Sequence, residues 1–150
     1  MSSQTDGPAS LLFTPIPVTT PNAFRRRAKH GISKAMTDAV AAAPTGQCVG
    51  WGIPFTIKNP LVARDVPASV KVSGLKAQWL VFLHTTDIEP LERNDDGFIS
   101  PTPGHGRLGE HVADYVIVYA DGTKARQQIR RRHQIGMFRR GWGENCFEAV

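Results

Sequence analysis

The sequence predicts an all-β protein: an antiparallel β-sandwich with an N-terminal arm and one short helix. Three observations lead there. Fourteen glycines and eleven prolines among 150 residues favour many short elements joined by turns. Period-two and doubly apolar runs recur through the second half of the chain. Only one segment has helical spacing, so the strand–helix alternation of a parallel α/β sheet is missing. A chain of 16.4 kDa suffices for one domain with its own core. Residues 1–21 are expected to form the arm and residues 22–150 the sandwich. Hydrophobic residues at 41% and charged residues at 21% exclude a disordered tail, a coiled coil and a collagen-like chain.

Residues 1–21 are rich in Ser, Thr and Pro and suit an extended segment. Residues 24–43 hold the helix, because Ile32, Ala35, Met36, Ala39 and Val40 recur at the three/four spacing of one apolar stripe. Pro44 and Gly46 end it. Residues 50–57 form a short apolar stretch, and residues 68–72 alternate with Val70 and Val72 on one face. Residues 78–85 (Gln-Trp-Leu-Val-Phe-Leu-His-Thr) are apolar on both faces, the pattern of a central strand covered on each side. A long polar loop follows over 86–109. Residues 114–119 are strongly β-forming, Asp121-Gly122 tolerates positive φ, and residues 123–132 alternate on the return, which together predict a hairpin. One last strand is expected within 136–150.

No apolar run approaches the roughly 20 residues of a membrane helix. The opening Met1-Ser2-Ser3-Gln4-Thr5-Asp6 has no basic region, and Pro15 and Pro17 interrupt Leu11-Leu12-Phe13. The expectation is a cytoplasmic protein without an export signal and without a membrane partner. Cys48 and Cys146 are either two buried thiols, favoured in that compartment, or one long-range disulfide. Neither has metal-ligand spacing.

Charge is uneven along the chain. Residues 124–140 carry seven basic side chains and no acid, whereas residues 84–122 carry eight acids against Arg93 and Arg107. In a strand, Arg126, Gln128, Arg130 and Arg132 share one face. The plain reading is a solvated face turned to the acidic loop. The sharper one is a polar surface whose arginine forks bond sugar hydroxyls or carboxylates. Nucleic acid ranks third, because the row lacks interleaved aromatics for base stacking.

No catalytic constellation stands out. His84 could act as a base with Asp87 or Glu110, but a lone His is more often a hydrogen-bonded structural residue. His105 and His111 have no ligand spacing. Asp95-Asp96-Gly97 is reminiscent of a calcium loop without its full ladder, so no cofactor is expected beyond a structural calcium there. Trp51, Trp79 and Trp142 are the stacking candidates for a sugar face, with Trp79 assigned to the core.

Four phrases then resemble one family. Gly52-Ile53-Pro54-Phe55-Thr56-Ile57, Leu80-Val81-Phe82-Leu83-His84-Thr85, Tyr115-Val116-Ile117-Val118-Tyr119-Ala120-Asp121-Gly122-Thr123 and Arg132-His133-Gln134-Ile135-Gly136 are similar, in order, to segments of galactose-binding-domain-like modules attached to bacterial glycoside hydrolases. The resemblance spans about residues 47–143 and implies a jelly roll with a carbohydrate-linked accessory role. The resemblance and the basic row together give the expected function: non-catalytic carbohydrate binding, with Trp51, His84, Arg130, Arg132 and Trp142 as ligand residues. The partner would be a carbohydrate, beside a catalytic domain or a second copy of the chain. The rival reading is an assembly module whose charged faces meet partner subunits.

Overall fold

The computed structural model describes residues 6–16, 18, 31–64, 67–72, 74–87, 92–93, 95–97, 99–100 and 109–139. Its helix α1 spans Lys34–Ala42. Ser33 sets the start: its backbone is extended, and its Oγ accepts from the Met36 amide at 3.0 Å. Such a cap is worth about 1 kcal/mol. Met36 supplies the buried member of the apolar stripe. Ala43 turns extended, and Pro44 has no amide to continue the ladder. Residues 24–30 of the expected helix lie outside the described residues.

Strands β1 (Gly46–Gly50) and β2 (Ile53–Ile57) pair antiparallel, with Gly50 opposite Ile53. That register leaves Trp51 and Gly52 as a two-residue turn with φ of 51° and 75°, the double positive φ of a type I′ hairpin. The expected single stretch over 50–57 is therefore a turn and a strand. Cys48 is a buried free thiol in β1; Cys146 lies outside the described residues. The start of the chain is tied to this hairpin. The Asp6 amide donates to the Val49 carbonyl at 3.0 Å, the Ser10 amide to the Gly52 carbonyl at 2.7 Å, and the Trp51 amide to Asp6 Oδ2 at 3.2 Å.

The chain divides into two compact units, Met1–Leu80 and Val81–Val150. In the second, β3 (Glu92–Arg93) and β4 (Ile99–Ser100) form a two-pair antiparallel ladder within the expected loop. Strands β5 (His111–Val118) and β6 (Lys124–Arg130) form the long hairpin, with a register shift between His111 and Ala113. Its turn is the expected one. Gly122 takes φ 84°, and Asp121 Oδ1 accepts from both the amide and the hydroxyl of Thr123 at 2.9 and 2.7 Å. Among the described residues of this unit, Ile129 and Ile135 are the buried aliphatic ones.

The described residues thus give a β-rich chain with one short helix and three separate two-stranded antiparallel sheets. Residues 78–85 correct the expectation of a sealed central strand. They have no regular secondary structure, and Trp79 and Leu83 are 73% and 62% exposed. A continuous apolar run does not by itself specify a partner, and this one crosses the boundary between the two units. Only its C-terminal half is engaged in the second unit, where Phe82 packs edge-on to Tyr115 with centroids 4.9 Å apart. Trp79, assigned to the core, is exposed for the same reason. Residues 68–72 are likewise irregular. Of the expected last strand, the described part makes a single parallel bridge between Met137 and Thr86. Among the described residues, no helix is long and apolar enough to cross a membrane.

Candidate ligand-binding site

The site is built by β6 and the turn that follows it. Burying Ile129 at 3% exposure turns its neighbours Gln128 and Arg130 to the opposite face, since alternate residues of a strand point apart. Both are exposed. The chain then folds back tightly. The Arg130 carbonyl accepts from the amides of His133, Gln134 and Ile135 at 3.3, 3.0 and 3.3 Å, and the Arg132 amide donates to the Ile135 carbonyl at 2.8 Å. Arg132 takes φ 61° to make this turn, so it leaves the arginine row that the sequence predicts and ends half-buried.

Between strand and turn lies a depression of about 310 Å³ lined by Gln127, Gln128, Arg130, His133 and Gln134. Gln134 Oε1 accepts from the Arg130 amide at 2.8 Å. An Arg130 amino group donates to Gln128 Oε1 at 2.8 Å, and Gln127 Nε2 donates to the Gln128 carbonyl at 3.0 Å. Among the described residues the lining is amide, guanidinium and imidazole, with no carboxylate. Such groups offer both donors and acceptors to hydroxyls, and a planar fork to a carboxylate.

Behind the turn stands His84. Its Nε2 lies 2.8 Å from the Gln134 carbonyl and its Nδ1 2.7 Å from the Tyr115 hydroxyl. A carbonyl only accepts, so Nε2 carries the proton, and in the neutral ring Nδ1 accepts from Tyr115. Burial pushes the Tyr115 phenol above its ordinary value, which keeps the hydroxyl protonated for this role. His84 therefore positions Gln134. Because neither ring nitrogen meets a carboxylate, the acid–base pairing of His84 with Asp87 or Glu110 does not form.

The neighbouring charges are organised in pairs. An Arg126 amino group and His111 Nε2 reach Asp114 Oδ2 at 2.6 and 3.1 Å. Chiefly through the Arg126 hydrogen bond, the Asp114 carboxyl is held down at about 2. Arg131 is buried, with its Nε 3.1 Å from Glu110 Oε2 and an amino group 3.4 Å from the Thr86 hydroxyl. Both carboxylates belong to the acidic stretch 84–122, but they lie on β5 and just before it rather than in the 86–109 loop of the plain reading.

Of the residues expected to bind, Arg130 lines the depression, His84 braces it from behind and Arg132 shapes its turn. Trp51 belongs to the first unit, 89% exposed at the hairpin tip. Trp142 lies outside the described residues. Gln127, His133, Gln134 and the Arg131–Glu110 pair are additions from the structure. The only sequence signal for them was the phrase at 132–136 directly after a strand. Asp95, Asp96 and Gly97 form a turn, and among the described residues no three potential metal ligands converge. No family model, curated protein or solved structure matches this chain.

Proposed function

We propose that the chain is a non-catalytic carbohydrate-binding or accessory module with a galactose-binding-domain-like jelly-roll fold, of the kind that accompanies polysaccharide-acting enzymes. The observation that carries the reading is the polar depression lined by Gln127, Gln128, Arg130, His133 and Gln134. Side-chain amides and a guanidinium are the groups that bond vicinal hydroxyls by paired donors and acceptors. The family-like phrases add support. Those at 52–57 and 115–123 fall on β2 and on β5 with its turn, and that at 132–136 supplies His133 and Gln134 to the lining of the depression. Trp51, with its ring exposed, and Trp142 serve as stacking platforms in this reading.

Calorimetric titration of the intact chain with neutral and acidic oligosaccharides tests it. Heat of binding with at least one, weakened several-fold by Gln128→Ala as expected for one lost hydrogen bond of about 1 kcal/mol, supports the reading. The absence of heat with every sugar removes it.

A second reading, an assembly module, has one specific observation in its favour. In the second unit Val81, Phe82, Leu83, Val116, Val118 and Tyr119 are all exposed, more large apolar residues than scattered surface positions explain.

A further inference from the structure

We infer that the depression selects sugars bearing a carboxylate, with Arg130 as the anchor of that group. The inference rests on the carbohydrate-binding reading and adds the ligand's charge to it. The argument is one of local charge balance. Arg126 is matched by Asp114 at 2.6 Å and Arg131 by Glu110 at 3.1 Å. Arg130 sits between them in sequence, yet its guanidinium bonds the neutral Gln128 Oε1 at 2.8 Å, and among the described residues no acid lines the depression. The cation that faces the depression is the one left to be balanced from outside.

The geometry of Arg130 suits that role. Its backbone is fixed at both polar groups, the amide by Gln134 Oε1 and the carbonyl by three amides of the turn. Gln128 holds one amino group of the fork, which limits the rotamers to be frozen on binding. A guanidinium bonds a carboxylate through two parallel N–H donors, whereas a single hydroxyl engages one. Gln127, Gln134 and His133 line the same space and meet the ring hydroxyls beside the carboxylate.

Trigalacturonic acid, its methyl ester and the neutral galactose trisaccharide separate the possibilities in calorimetry on the full chain. The acid is expected to bind about tenfold more tightly than its ester, the size of one charge-assisted hydrogen bond, and its affinity should fall as salt rises. Arg130→Gln should collapse the roughly tenfold preference, the ester weakening several-fold through the lost hydroxyl bond and the acid weakening further to match it. Gln128→Glu, an exposed change that sets a carboxylate beside the guanidinium, should do the same by competing for the fork. Equal affinity for acid and ester overturns the inference and leaves the carbohydrate reading standing. So does an Arg130→Gln chain that weakens acid and ester by the same factor, keeping the preference. If none of the three sugars binds, the inference falls, and the carbohydrate reading falls with it when the wider oligosaccharide titration also gives no heat.

Discussion

Trp51 holds its backbone at φ 51°, a conformation that costs a non-glycine residue roughly 1–2 kcal/mol. Its ring is exposed and repays little of that by packing. Asparagine tolerates the same backbone, so Trp51→Asn should raise the denaturant midpoint by about 1 kcal/mol of stability. A lowered midpoint would mean that the indole packs. The opposite sign is expected at Glu110. Arg131 is 7% exposed at its side chain and pairs with that carboxylate at 3.1 Å. Glu110→Gln should cost about 2 kcal/mol in equilibrium unfolding, since a charged hydrogen bond is lost and a buried cation is left under-compensated. The turn at Trp51 was not legible in the stretch 50–57, because a tryptophan inside a type I′ turn is too uncommon to be read from propensity. The Arg131 pairing was hidden for another reason. A strict period of two makes Arg130 and Arg132 equivalent, and only the end of β6 at Arg130 separates them.

The β5–β6 hairpin was the most legible element, because β-formers, an Asp-Gly turn and an alternating return all point one way. Helix α1 was legible in type and in its stop at Pro44. Its start lay in Ser33, which weakens a helix interior but caps an end. Residues 78–85 misled because burial on two faces needs a partner from elsewhere in the chain, which no local pattern names. The hairpin also carries a pH dependence. Asp114 is held at about 2, below the ordinary carboxylate value of 3.8, chiefly by Arg126 and also by His111. A depressed carboxyl stabilises the fold fully above its unfolded value and loses that contribution as pH falls through the folded one. Stability should therefore drop between about pH 4 and pH 2, followed by circular dichroism. Asp114→Asn should flatten that part of the curve; an unchanged slope would refute the role of Arg126.

For the molecule as a whole, β-richness was legible from composition and turns, whereas the arrangement of strands into layers was not. Each described sheet is a sequential hairpin, and local patterns specify hairpins far better than non-local pairing. The assembly reading is decided at this scale. If the exposed apolar residues of the second unit form an interface, sedimentation should show concentration-dependent association, and Val118→Lys should abolish it. A monomer at all concentrations would leave the sugar reading alone.

The three amides gathered on the Arg130 carbonyl have one further implication. Backbone already gathered around a single oxygen has little freedom left to lose when a guest arrives. The receptor's main-chain entropy was given up on folding, so the guest should meet a rigid mould and affinity should track the quality of individual side-chain contacts.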